Sequence, residues 1–221
     1  MTNENDSFIR EVNEELRSDQ MKALWRQYGL LIAIVAVAII IGTAGYRGYQ
    51  YWSDTKASAS GDEFLSAMKL ASEGKTDDAL AAFQKLEKDG FGNYPVLARM
   101  RAATLLSEKD PKGAVQAFDT IGKDTSEPDA IRNVAKLRAA WLMIDDAKYD
   151  AVAAEVEELT DAQNAMRHSA REVLGLSAFK NGNFKQAKDW FQAIANDQAT
   201  PVNVGHRAQI MLDLIAADGK A

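Results

Sequence analysis

Asn181–Ile194 reads NGNFKQAKDWFQAI, and its pattern occurs three more times upstream. The other copies are GKTDDALAAFQKL at Gly74–Leu86, DPKGAVQAFDTI at Asp110–Ile121 and AKYDAVAAEVEEL at Ala147–Leu159. Each opens on a polar turn, then sets down a small residue, a larger apolar residue four later and another three beyond. The triplets are Ala79/Phe83/Leu86, Ala114/Phe118/Ile121, Val152/Val156/Leu159 and Ala187/Phe191/Ile194, with leading positions 35, 38 and 35 residues apart. Self-similarity at about 34 residues is what a chain of helix–turn–helix units produces.

The spacing has a physical reason. Two antiparallel helices approach closely only where a small residue such as Ala79 or Ala187 sits at their crossing. Residues four and seven further on share that face and fill the interface with the next unit. Gly74 and Gly182 suit the position just past a helix end, where a left-handed backbone costs little without a Cβ. The fourth unit is the most regular, with Leu174-Gly175 in its first helix. The third is the most degenerate, because Val152 replaces the small residue. The units predict an all-α, tetratricopeptide-repeat-like solenoid of about four helical hairpins. Stacked units need a terminal cap, and Thr200-Pro201 reads as N-cap and first turn of a capping helix from about 201. Val204, Ile210, Met211 and Leu214 are available for one face of that helix.

Such a solenoid is right-handed and has a concave groove lined by the first helix of each hairpin. The repeat register places Phe64, Met68, Leu106, Leu137, Trp141, Ile144, Leu176 and Phe179 at groove-facing positions. They form the candidate protein-binding groove, which would be unusually apolar; a shift of one residue turns some of them into plain core. The segment Tyr49–Ala59 could also lie along part of the groove.

Upstream of the repeats, Gly29–Gly45 is an uncharged apolar run, GLLIAIVAVAIIIGTAG, between Arg26 and Arg47. The 20 residues between these arginines rise about 30 Å as a helix, the thickness of a bilayer's hydrocarbon core. Trp25 and Tyr28 precede the run, and Tyr46, Tyr49, Tyr51 and Trp52 follow it, as interfacial aromatics do around a true span. Small residues recur four apart at Ala38/Gly42 and Ala44/Gly48, which helix packing in membranes can use. Arg10, Arg17, Lys22 and Arg26 lie before the run against Arg47 and Lys56 after it, so the N-terminus is expected in the cytoplasm. A cleaved signal peptide is the competing reading. Its leading region would have to be short and basic, with an apolar core of about 7–15 residues; here the leader is long and net acidic. The chain therefore divides into a cytoplasmic tail (1–26), a transmembrane anchor (27–46), a juxtamembrane linker helix (47–59) and an exported repeat domain (60–221). In the tail, Phe8, Val12 and Leu16 fall at helical spacing with Ile9 beside them, so a short amphipathic helix is possible there.

Net charge is −6 with no basic stripe, which argues against nucleic acid as a partner. No cysteine is present, so thiol chemistry, disulfides and cysteine metal sites are excluded. The only histidines, His168 and His206, have no partner at metal or triad spacing and read as helix-surface residues. There is no glycine-rich phosphate loop and no nucleophile elbow. Asp77-Asp78, Asp145-Asp146 and Glu155/Glu157/Glu158 sit in turns or on polar faces, where solvated charge is the ordinary explanation. No enzyme activity, catalytic residue, metal, cofactor or small-molecule substrate is expected.

Beyond the repeat pattern, the chain resembles the YfgM-like ancillary subunits of the bacterial Sec translocon. The resemblance rests on the acidic tail, the single span followed by GYRGYQYW (Gly45–Trp52), and FGNYPVLARMRAATLL (Phe91–Leu106). It continues through the degenerate third unit, REVLGLSAFKNGNFKQAKDWFQAI (Arg171–Ile194) and the DQATP before the cap. It implies a single-pass inner-membrane protein whose C-terminal domain is periplasmic. The implied partners are translocon channel subunits, a membrane-anchored periplasmic chaperone of the prolyl-isomerase type, and newly exported chains. A scaffold for envelope assembly or cell division, using the same repeat surface, is the alternative.

Overall fold

The computed structural model describes residues 3–217 and 219; the side chains of residues 3–9, 11 and 13, Phe8 and Ile9 of the tail among them, lie outside what it describes. Among the described residues there are nine α-helices, one short 3-10 helix and no strand. In order they are α1 (Asn3–Ser72), α2 (Thr76–Asp89), α3 (Tyr94–Lys109), α4 (Pro111–Lys123), α5 (Asp129–Met143), α6 (Tyr149–Val156), the 3-10 helix Glu157–Thr160, α7 (Arg167–Lys180), α8 (Phe184–Ala195) and α9 (Val202–Ala217). The chain forms two compact units, Met1–Lys56 and Ala57–Ala221.

The first unit is the part of α1 up to Lys56. Among the described residues α1 is the one helix long and apolar enough to cross a membrane. Leu30, Leu31, Ile34, Ile39, Ile40 and Ile41 all expose more than half of their surface to their surroundings. In water each would forgo about 1.5–3 kcal/mol of burial, so a hydrocarbon environment is the one this surface matches. Trp25 and Tyr28 on one side, and Tyr46, Tyr49, Tyr51 and Trp52 on the other, are also exposed.

The second unit begins with the last turns of α1, from Ala57, and runs through α9. Each helix from α2 onward packs on its chain neighbours, and α5, α7 and α9 touch in succession. Four apolar clusters follow one another along this unit. All twelve triplet residues are buried, none more than 2% exposed. The degenerate third unit is accommodated from the opposite side: Ala140 of α5 shares a cluster with Val152 and supplies the small residue that α6 lacks. The helix around Val152 is also short, eight residues, and passes into the 3-10 turn that carries Leu159. Tyr149 then ties this unit to the next by accepting a 3.0 Å hydrogen bond from Trp190 Nε1.

Two helix ends match their glycines in detail. Gly74 and Gly182 have φ of 75° and 78°. In each case the glycine N–H and the following N–H reach back to the last turn, at 3.1 and 3.0 Å after α1 and at 3.0 and 2.8 Å after α7. This is the paired bonding of a left-handed helix cap. All four prolines stand at helix starts: Pro95 and Pro111 in the first turns of α3 and α4, Pro128 and Pro201 immediately before α5 and α9.

Three expectations need correction. Thr200 does not cap α9: its hydroxyl donates to the Ile194 carbonyl at 2.7 Å, and the Pro201 carbonyl receives the first amides of the helix instead. The buried face of α9 is Val204, Ala208 and Ile215, with Met211 and Leu212 beside them, while Ile210 and Leu214 are exposed. Among the described residues α8 and α7 pack on this helix, and Ile210 and Leu214 lie outside that packed face. His168 is buried rather than on the surface, 6% exposed, because the α8–α9 connection folds over the start of α7.

Candidate protein-binding groove

The hairpins' first helices place side chains of α3 and α5 side by side. Between them lies a cleft of about 410 Å³ lined by Thr104 and Ser107 of α3, Phe118 of α4, and Val134, Leu137, Arg138, Trp141 and Leu142 of α5. The cleft is framed by one repeat step: Arg138 Nη1 donates to Thr104 Oγ1, 34 residues earlier, at 3.5 Å. Leu137 and Val134 form apolar walls, and Trp141 keeps 40% of its surface exposed. Among the described residues no carboxylate lies within ion-pair distance of Arg138. An apolar cleft with one guanidinium at its edge can take an apolar side chain and bond a neighbouring carbonyl or carboxylate.

The other predicted groove residues are distributed along the unit. Phe64 and Met68 pack on the first apolar cluster, Phe64 against Phe83 and Tyr94 at ring distances of 5.5 and 6.0 Å. Leu106 lines a separate cleft of about 280 Å³ with Leu80 and Ile121, between α2, α3 and α4. Ile144 packs on the Val152 cluster. Leu176 and Phe179 pack on the last cluster, Phe179 edge-on to Phe184 at 5.4 Å. Thr104, Ser107, Val134 and Arg138 were not singled out from the sequence. The 34-residue interval between Thr104 and Arg138, one repeat period, is the signal that pairs them.

Charges organise the edges of this unit. Arg99 binds Asp124 at 2.9 Å, Glu127 at 3.5 Å and Glu87 at 3.8 Å. The Ser126 hydroxyl and then Arg99 hold the Asp124 carboxyl down to about 2. Burial, aided by Asp119, pushes the Glu155 carboxyl up. Asp77 in the first turn of α2 and Asp145 in the α5–α6 turn each receive a lysine from the following hairpin, Lys109 at 2.7 Å and Lys180 respectively. These exposed pairs contribute little to stability but account for the turn acids without a ligand. Among the described residues no group of three or more His, Asp or Glu side chains could hold a metal ion.

At the far end Asp197 gathers Arg167 (2.9 Å), Arg171 (3.3 Å) and His168 (3.8 Å). The Arg167 hydrogen bond holds the Asp197 carboxyl well below the usual carboxylate range. Since the Thr200 hydroxyl gives its proton to the Ile194 carbonyl, it accepts from His168 Nδ1 at 3.0 Å. Nε2 of His168 is buried with no hydrogen-bond partner among the described residues, and burial together with Arg167 lowers the imidazole's pKa.

A tetratricopeptide repeat-like domain family matches residues 22–216, the apolar run included. The chain is 25% identical over 193 residues to the ancillary SecYEG translocon subunit of Escherichia coli (strain K12), covering 85% of this chain and 91% of that protein. It is 23% identical over 145 residues to the ancillary SecYEG translocon subunit of Haemophilus influenzae, covering 63% and 68%. Both names agree with the resemblance read from the sequence. No solved structure matches the chain.

Proposed function

Because this chain belongs to the tetratricopeptide repeat-like domain family, whose stacked units build extended binding surfaces, we propose that it is a non-enzymatic protein-binding subunit held at the Sec translocon of the inner membrane. Residues 27–46 span the bilayer, with the tail of residues 1–26 in the cytoplasm, residues 47–59 as the juxtamembrane linker and the repeat domain of residues 60–221 in the periplasm. The four cations before the span against two after it support that orientation. The repeat domain helps newly exported chains, together with a membrane-anchored periplasmic chaperone. The names of the two relatives support the translocon as the site of action.

The observation that carries the binding role is the cleft between α3 and α5, where Leu137 and the half-exposed Trp141 offer apolar surface beside Arg138. Apolar clefts of this kind hold side chains of extended or helical segments. The test is native purification of the tagged full chain from detergent-solubilised membranes, alongside a Trp141→Glu variant. Translocon channel subunits and a membrane-anchored chaperone should copurify. Exported chains cross-linked to the repeat domain should fall about tenfold in the variant, the loss of one interface hot spot. Recovery of cell-wall or division proteins in their place, or undiminished cross-linking with the variant folded, would overturn the reading.

A further inference from the structure

We infer that the α3–α5 cleft selects extended segments in which carboxylates flank an apolar side chain, one carboxylate for Arg101 and one for Arg138. This rests on the binding role proposed above and gives it a substrate chemistry. On α3, Ala98 and Leu105 pack on the apolar cluster before the helix, and Val96 and Ala103 on the cluster after it. Leu97, Arg101 and Thr104, spaced i, i+4, i+7, fall between those two faces on the stripe left open. On α5, Ala135 and Ala139 face the cluster shared with α3, and Leu137 and Ile144 face the next one. Val134, Arg138 and Trp141 repeat the same spacing between them. Arg101 and Arg138 thus hold one place in successive first helices, each with an aliphatic residue one turn before it. Arg138 Nη1 reaches back to Thr104 Oγ1 at 3.5 Å, and Thr104 lies one turn after Arg101.

These two arginines differ from the others of the repeat domain. Arg99, Arg132, Arg167, Arg171 and Arg207 each hold a carboxylate of the chain. Among the described residues neither Arg101 nor Arg138 has a carboxylate within ion-pair distance, and both are exposed. Acids are not scarce, since the chain has 32 acidic against 26 basic side chains. Glu108 and Asp145 stand one turn beyond Thr104 and Trp141, at the far ends of the two stripes, and Lys180 takes Asp145. Two free guanidiniums beside Leu97, Val134 and Trp141 match a segment whose acids alternate with an apolar residue. The acids bond the guanidiniums, and the apolar side chain enters the cleft of about 410 Å³. Tryptophan and arginine are also the residue types that dominate interface energies. The net charge of −6 repels an acidic segment at long range, so a preference for one has to come from local cations.

The experiment measures, by fluorescence anisotropy, binding of a fluorescein-labelled peptide of Asp-Ser-Leu repeats and of its Asn-Ser-Leu counterpart to the purified full chain in detergent. The aspartate peptide should bind about tenfold tighter at low salt, the yield of two exposed ion pairs, and the margin should shrink as salt is raised. Arg101→Gln and Arg138→Gln should each cut the preference to about threefold and together abolish it. Arg101→Lys with Arg138→Lys should keep most of it. Neither position is buried or ion-paired, so melting temperatures should not move. Equal binding of the two peptides, or a preference that survives both glutamine changes, overturns the proposal. Trp141→Ala separates it from the reading it rests on: equal binding that falls in Trp141→Ala leaves the cleft as a binding site and removes only the carboxylate preference. Peptides that both ignore Trp141→Ala, or that do not bind at all, overturn the cleft reading and the proposal with it.

Discussion

Phe191 rests on the backbone of Gly175 so closely that a Cβ there would fall 2.8 Å from the ring's Cζ. Contacts of that length do not occur, and both partners are fully buried between α7 and α8. Gly175→Ala therefore forces α7 and α8 apart and should destabilise the repeat unit by about 1–3 kcal/mol, the usual range for overpacking. In a unit of this size each kcal/mol moves Tm by about 2–4 °C. Phe191→Leu, added to Gly175→Ala, should recover part of the loss, and thermal melts of the two variants followed by circular dichroism test it.

Glu172 is 4% exposed and accepts two hydrogen bonds from Arg207, at 2.6 and 2.8 Å. Removing the arginine leaves a buried carboxylate unpaired. Breaking a buried pair costs about 3–5 kcal/mol, and since half of the Arg207 side chain is exposed a cost of about 2–3 kcal/mol is expected for Arg207→Ala. Glu172→Leu with Arg207→Leu should be closer to the native protein than either single change. Amide hydrogen exchange in α9 measures this locally: protection should fall in Arg207→Ala and largely return in the double variant.

The His168 imidazole is surrounded by Arg167, Arg171 and Asp197, and its pKa is lowered on folding, first by burial and then by Arg167. The unfolded chain therefore binds a proton at a higher pH than the folded one. Stability from this group is complete above the unfolded value of about 6.5 and declines as pH falls from there toward the folded pKa. Asp197 and Asp124, with depressed carboxyl pKa values, lose their contributions only in the acid range below about 4. Urea unfolding between pH 7.5 and 5 should show native stability decreasing with acidity, and His168→Gln should flatten that slope. An unchanged slope would assign it to other groups.

The repeats were legible because their buried positions are set by local periodicity: each triplet lies on one helix, and its burial follows from spacing alone. The two glycine caps were legible for the same reason. What escaped depends on contacts across elements. His168 gives no local sign that Asp197 and Thr200 will fold over it, and Thr200-Pro201 has the form of a cap although its hydroxyl is claimed by Ile194. The cleft was half visible. Leu137 and Trp141 follow from register, but Thr104, Ser107 and Arg138 are polar residues that become cleft-lining only when α3 and α5 stand side by side.

Membrane orientation can be checked with a convenience the sequence supplies, since the native chain has no cysteine. Ser18→Cys in the tail and Ala162→Cys in the connection before α7 both fall at exposed positions, so a single new thiol reports each side. In cells with a permeabilised outer membrane, an impermeant maleimide should label position 162 and spare position 18 until the inner membrane is opened. The cause assigned to this orientation is the cation excess at Arg10, Arg17, Lys22 and Arg26, and acidic neighbours weigh little in such a balance. Changing those four to Gln leaves Arg47 and Lys56 as the richer side. A fraction of molecules should then invert, with position 18 labelled from outside. If labelling at position 18 stays absent after that change, the folding of the repeat domain, and not flanking charge, governs how the chain sits in the bilayer.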